Sequence, residues 1–96
     1  AALNRVALGT QTVSVWKDSR ELGRNAGEIA VALAGGTALA DIEGAATFTS
    51  PGGVDVSSML LAPQPITQDK LNLVLDAGWI EKDVLCQGVS GLAVCE

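Results

Sequence analysis

The sequence predicts one small α/β domain in which strands alternate with helices. Three observations support this fold class. A run of β-branched residues is followed by an amphipathic helical pattern, a second strand and helix follow, and glycines stand where the elements end. With 96 residues, the chain has room for one domain and not for two.

The clearest strand–helix pair spans residues 10–36. Residues 10–16 are rich in β-branched side chains, which is typical of a strand. Asp18 stands where a helix N-cap belongs, with Glu21 three residues later in a capping-box pattern. The pattern predicts a helix over 18–34, ended by two glycines. Its apolar stripe consists of Leu22, Ala26, Ile29, Ala30 and Leu33.

The remaining elements are shorter. We expect Pro63-Gln64-Pro65 to end the strand over 54–62 before the helix over 67–77 begins. The expected elements are a helix over 1–8, strands over 46–50 and 54–62, a helix over 67–77, a helical turn over 81–85 and a terminal strand over 92–94. Two or three strands with two full helices make a thin α/β unit, because a parallel sheet needs helices on both faces. The sequence therefore predicts a fold that is incomplete on its own.

Composition excludes several classes of protein. The net charge is −5 and the six basic residues are scattered, which argues against a nucleic-acid partner. No run of about 18 apolar residues occurs, so the chain is not expected to be embedded in a membrane. No signal peptide is visible, and the chain starts without Met, so we expect a processed or cut piece of a longer protein.

Two cysteines, Cys86 and Cys95, are separated by eight residues. Paired, they would close a loop that contains two glycines, and they would indicate an oxidising compartment. The alternative is two free thiols, with Cys86 as a small core residue. Metal binding is not expected, because the chain has no His and two thiolates make only half a zinc site.

Catalysis is not expected. Without His the chain cannot form a Ser–His–Asp or Cys–His arrangement, and its paired glycines match neither a dinucleotide-binding motif nor a phosphate-binding loop. Its acidic residues are better explained by helix capping, so we predict no enzyme and no cofactor. A catalytic site completed by a partner chain is the remaining alternative, and nothing in the sequence supports it.

Lys17 and Trp16 are the candidate ligand-binding residues. Both follow a predicted strand, at the end where α/β proteins bind ligands. The Lys17 ammonium has three donors to offer, and the alternative is a surface lysine on a turn. Trp16 offers an aromatic face and an indole N–H to a sugar ring, and the alternative is a core tryptophan.

Two stretches carry a resemblance to a known family: LNRVALGTQTVSVWKDSRELGRNAGEIAVAL and LLAPQPITQDKLNLVLDAGWIEKDVLC. They resemble the C-terminal third of type 1 periplasmic sugar-binding proteins, the solute receptors of ABC importers, and are most similar to the D-xylose-binding group. The resemblance covers nearly the whole chain, up to about Gln87. The end that carries Cys95 matches nothing in that family.

The resemblance implies two α/β lobes that close on a monosaccharide like a hinged trap. Residues 1–17 and 57–96 would belong to the C-terminal lobe and residues 18–50 to the N-terminal lobe, with hinge segments near 10–17 and 50–56. A sugar-contacting lysine of the xylose-binding pattern falls on Lys17, and Trp16 occupies a position that is aromatic in the family.

The resemblance therefore implies part of a periplasmic or secreted, non-catalytic receptor for a xylose-like sugar. Its partners would be the sugar, the remainder of the receptor as another chain or a clipped fragment, and the ABC permease. The alternative is a free-standing homo-oligomeric module that has kept the sequence but not the sugar site.

Overall fold

The computed structural model describes residues 1–96 and combines helices with strands, as the sequence predicts at this coarse level. The α-helices are Ala2–Ala7 (α1), Ser19–Ala34 (α2), Leu71–Asp76 (α3) and Lys82–Leu85 (α4). The β-strands are Ser14–Trp16 (β1), Ala46–Thr49 (β2), Asp55–Ser58 (β3) and Gln64–Ile66 (β4). Short 3-10 turns occupy Leu39–Asp41, Gln68–Lys70 and Ala93–Cys95.

The strands form two separate two-stranded sheets, and both are antiparallel. In one, β1 pairs with β4, with Ser14 opposite Ile66 and Trp16 opposite Gln64. In the other, β2 pairs with β3. Neither sheet is parallel, although an alternation of strands and helices is typical of a parallel sheet.

Contacts divide the chain into two compact units. Unit 1 contains Ala1–Lys17 and Pro63–Glu96, and unit 2 contains Asp18–Ala62. The chain passes from unit 1 to unit 2 after Lys17 and returns at Pro63. Residues 57–62 fall in unit 2.

The buried core lies in unit 1, and each of α1, β4, α3 and α4 contributes to it. It consists of Val6, Ala7, Ile66, Leu71, Val74 and Leu85, none more than 2% exposed. Trp16 is partly buried and packs against this cluster. No polar or charged residue is buried. Because the core is small, each of its side chains accounts for a large share of the apolar burial that stabilises the unit.

Unit 2 contains no fully buried residue. The apolar stripe predicted along α2 is mostly exposed, with Leu22 and Leu33 46% and 47% accessible, and only Ile29 is partly buried. Every residue of β2 is exposed, including Phe48. An amphipathic helix normally buries its apolar stripe, so unit 2 lacks the covering surface that its sequence pattern requires.

Local signals define α2 at both ends. The Asp18 side chain accepts a hydrogen bond from the Arg20 backbone N–H at 3.0 Å, which confirms it as the N-cap. At the other end, the Gly36 N–H donates to the Leu33 carbonyl and the Thr37 N–H donates to the Ala32 carbonyl. This is a Schellman motif, and it requires the positive φ of +91° that Gly36 adopts.

Several predicted elements are shorter than expected. The strand predicted over 10–16 is formed only by Ser14–Trp16, because the Thr10 and Gln11 N–H groups both donate to the Arg5 carbonyl and curl the chain after α1. The strand predicted over 54–62 is reduced to Asp55–Ser58, where its partner strand ends.

Two other predictions are wrong in kind. The stretch Pro63-Gln64-Pro65, predicted as a break, contains most of β4. Each proline favours an extended backbone, and that conformation suits a strand once β1 lies beside it. The terminal strand predicted over 92–94 is instead a 3-10 turn in which the Cys95 N–H donates to the Leu92 carbonyl.

Candidate functional site at the end of strand β1

Trp16 ends β1 and directs its ring toward the core of unit 1. Ser14 and Trp16 lie on one side of the strand, and Val15, which alternates with them, is 60% exposed. The side chain of Trp16 packs against the core, as the core-residue alternative expects. Trp16 also lies at the end of the strand, where the ligand-binding alternative places it.

The indole nitrogen of Trp16 is buried and has no hydrogen-bond partner. A buried N–H without an acceptor costs free energy, about 1–3 kcal/mol in typical proteins, because it has lost its water without gaining a protein partner. Such groups are uncommon in native structures.

The Trp16 ring borders a depression of about 150 Å³ on the surface of unit 1. All three residues of β1 contribute to its wall, together with Leu3 of α1, Val74 of α3 and Trp79. The wall is mostly apolar, and Ser14 contributes the polar side chain among its lining residues. The volume suits one side chain or one small ring.

Lys17 is the last residue of unit 1 before the chain enters unit 2, and it is exposed. Its ammonium takes part in none of the hydrogen bonds or ion pairs of the structure. Lys17 also lies outside the wall of the depression. The two candidate residues are therefore neighbours in sequence, but the structure does not bring both into one cavity.

Asp18 serves the backbone of α2. Desolvation acts to raise the pKa of Asp18, but hydrogen bonds from the Arg20 and Glu21 backbone N–H groups and the nearby Arg20 guanidinium outweigh it and lower that pKa. The carboxylate is thus held in its charged form as a helix cap, which is the role that the sequence pattern predicts.

Trp79 also lines this depression and was not among the candidate residues predicted from the sequence. It follows Gly78, and its backbone N–H donates to the Val74 carbonyl at the end of α3. This Schellman motif places Trp79 beside Val74, so both line the depression. The signal that could have found it is the pattern of a glycine stop followed at once by a large apolar residue.

The Cys86–Cys95 disulfide is present, so the paired alternative is the correct one. The loop it closes supplies Val89, Leu92 and Val94, which pack against the core. Asn4 of α1 donates to the carbonyls of Leu85 and Gln87, at 2.8 and 2.9 Å, and fixes the start of this loop.

The structure contains no group of three or more His, Cys, Asp or Glu side chains placed to hold a metal ion. None of the helices combines the length and the apolar character that crossing a bilayer requires.

Comparisons of this chain with protein families, with curated proteins and with solved structures found no match.

Proposed function

We propose that this chain is part of a solute receptor that binds a xylose-like monosaccharide and delivers it to an ABC importer, without catalysis. The proposal starts from the resemblance of its two long sequence stretches to the xylose-binding group of periplasmic receptors. In this proposal the two units of the chain belong to the two lobes, and Lys17 contacts the sugar.

The observation that carries the proposal is the free ammonium of Lys17 at the point where the chain leaves unit 1. An exposed lysine without an ion-pair partner keeps all three donors for a ligand, and sugar hydroxyls are suitable acceptors. Trp16 precedes Lys17 in the sequence and is the proposed aromatic neighbour of the sugar, although its ring packs against the core of unit 1 and its indole N–H is buried.

The chain alone offers too few polar groups for a sugar. A monosaccharide site needs several convergent donors and acceptors, and the Lys17 ammonium alone does not supply them. The apolar stripe of α2 is exposed and unit 2 has no buried core, and both features also indicate that a partner is missing. The proposal therefore includes a partner, the remainder of the receptor, as another chain or a clipped fragment.

The disulfide supports an oxidising compartment, and the proposed location is the periplasm or the extracellular space. The small core of unit 1 fits this setting, since small secreted domains often depend on a disulfide.

The first experiment measures the mass of the native assembly under non-denaturing conditions, followed by calorimetric titration with xylose. We expect a complex three to four times the 9.8 kDa mass of this chain that separates, on denaturation, into this chain and a larger unlike one. Xylose should bind that complex and not the separated chain.

The residue test compares Lys17→Met with Lys70→Met, a matched control at another exposed lysine of unit 1. Losing a charge-assisted hydrogen bond should weaken xylose binding by about 10- to 100-fold in the Lys17 variant, while the Lys70 variant should bind like the parent. Equal binding by both variants would remove Lys17 from the site.

The alternative is a homo-oligomeric module without a sugar site, and the exposed apolar residues of unit 2 also favour it. The same mass measurement separates the two. A complex made only of copies of this chain, inert to xylose, would support the module and contradict the receptor.

A further inference from the structure

The cystine loop, which is residues 87–94 between the bonded Cys86 and Cys95, forms no strand with the rest of unit 1. Its one regular feature is a 3-10 turn at its end. Every hydrogen bond of residues 88–94 has its partner between Cys86 and Glu96. The body of the loop is therefore not hydrogen-bonded to the helices and strands beside it.

Few noncovalent contacts attach the cystine loop to unit 1. At its start, the Asn4 side chain donates to the Gln87 carbonyl at 2.9 Å. Beyond its end, the Lys82 ammonium donates to the Glu96 carbonyl at 3.3 Å, and an exposed bond of this kind contributes little in water. Three partly buried apolar side chains of the loop also pack against the core, namely Val89, Leu92 and Val94. The disulfide is therefore the strongest link between the end of the loop and unit 1.

The core of unit 1 contains no residue of the cystine loop. Its six fully buried side chains all lie outside residues 87–94. Asn4 donates a second hydrogen bond, at 2.8 Å, to the Leu85 carbonyl, and this bond joins α1 to α4 ahead of the loop. Proteins open locally where few buried contacts and few backbone hydrogen bonds hold a segment. The cystine loop meets this description, so its release can leave the core folded.

Both cysteines are only partly buried. Exposed disulfides are more readily reduced by thiols than buried structural ones. We propose that the Cys86–Cys95 bond is a redox switch: a dithiol reduces it, the cystine loop leaves the core, and the rest of unit 1 stays folded. This inference uses neither the sugar nor a partner chain, so it stands apart from the proposed function.

The reductant is a dithiol, the chemical class of Cys-x-x-Cys oxidoreductases. One of its thiolates attacks a sulfur of the bond, forms a mixed disulfide and releases one protein thiolate. Its second thiolate then closes the reductant's own disulfide and releases the other protein thiolate. The dithiol gives up two electrons and two protons, and the protein receives them as two thiols. In an oxidising compartment the bonded form is the starting state, so the loop opens where such a dithiol reaches it.

Opening the loop changes the surface of α1. The loop and the end of α1 share a hollow of about 270 Å³, lined on the α1 side by Ala7 and Leu8. A Cβ added at Gly88 would lie 4.0 Å from the Leu8 side chain, so the loop passes directly beside it. Release of the loop removes one wall of this hollow. The reduced form therefore presents an apolar part of α1 that the oxidised form covers.

The test follows amide hydrogen exchange in the full chain, first oxidised and then treated with dithiothreitol, without denaturant and below the unfolding midpoint of the reduced chain. Reduction should add about 2 Da to the intact mass. The amides of Val89 and Cys95, which donate within the bridged segment, should then exchange about tenfold faster or more. The amides of Ala77 and Trp79, at the end of α3, should stay protected.

Two results of this experiment would overturn the switch. Loss of protection at all four amides together would mean that the bond stabilises the whole unit and does not control the loop alone. A bond that resists the dithiol in the folded chain, and is reduced only after unfolding, would mean that the sulfur atoms are not accessible to a reductant.

Two variants separate the covalent bond from the apolar contacts. The Cys86→Ala, Cys95→Ala double variant should show fast loop exchange with and without the dithiol. Val89→Ala shortens one apolar contact and keeps the bond, so its Cys95 amide should exchange like that of the oxidised parent. Oxidised Val89→Ala with a loop as open as that of the reduced parent would contradict the switch, because packing and not the bond would then hold the loop.

Reversal completes the experiment. Oxidised glutathione, a disulfide oxidant, should remove the added 2 Da from the reduced chain and slow exchange in the loop again. A loop that stays open after the bond has formed again would overturn the proposal, because the bond would then not set the position of the loop.

Discussion

Breaking the Cys86–Cys95 disulfide should destabilise unit 1 strongly. The bond joins residues nine positions apart, and the chain-entropy estimate for so short a loop is about 2–3 kcal/mol. The loop also carries Val89, Leu92 and Val94 onto the core, so a freed loop would uncover part of that core. For a domain of this size, such a loss should lower the midpoint of thermal unfolding by roughly 10–20 °C.

Tryptophan fluorescence measures this loss in unit 1 alone, because both tryptophans, Trp16 and Trp79, belong to that unit. Urea unfolding of the oxidised chain should be compared with that of the chain kept reduced, and with a Cys86→Ala, Cys95→Ala double variant. The double variant should match the reduced chain and should not respond to reductant. A mass increase of about 2 Da on reduction verifies that the bond was present in the starting sample.

Coincident urea transitions for the oxidised and reduced chains would refute this reasoning. That result would mean that the loop stays packed on the core without its covalent closure. The hydrogen bonds from Asn4 to the Leu85 and Gln87 carbonyls would then be the contacts that hold it.

Two further predictions concern α2. The pKa of Asp18 is lowered from 3.8, so its charged form stabilises the folded helix above that pH, and this stabilisation is lost as the pH falls through the lowered pKa. Helix content measured by circular dichroism should therefore drop below pH 3.8 in the parent. The Asp18→Ala variant should have less helix already at neutral pH, and its helix content should change less as the pH falls. Identical pH profiles of the parent and the variant would contradict the role of Asp18 as the cap. Gly36→Ala should lower the free energy of unfolding by about 1 kcal/mol, because Gly36 adopts a left-handed backbone conformation. Gly35→Ala, at φ −79°, should change that free energy little, and urea unfolding followed by circular dichroism compares the two variants.

The local elements with strong end signals could be predicted from the sequence. Helix α2 begins after its Asp18 cap and ends at the glycine pair because both signals act within a few residues. The position of Trp16 at the end of a strand followed from the β-branched run before it.

Pairing could not be predicted in the same way. Strand β4 is a strand only because β1 lies beside it, and a proline-rich triplet carries no local sign of that partner. The 3-10 turn at Ala93–Cys95 ends at a cysteine that is bonded to Cys86, and the sequence left that pairing open. The depression beside Trp16 is also lined by Trp79, which lies far along the chain. The spacing of residues in the sequence therefore could not predict that these two side chains line one depression.

The register of β1 with β4 makes unit 2 an insertion in an otherwise simple β-hairpin. Trp16 and Gln64 are opposite each other, so the two points where the chain enters and leaves unit 2 are held about one strand spacing apart. Evolution can lengthen, shorten or exchange such an inserted stretch while the hairpin and the core around it remain intact. Unit 1 therefore holds both ends of the inserted stretch, and a change in the length of unit 2 need not alter the pairing of β1 with β4.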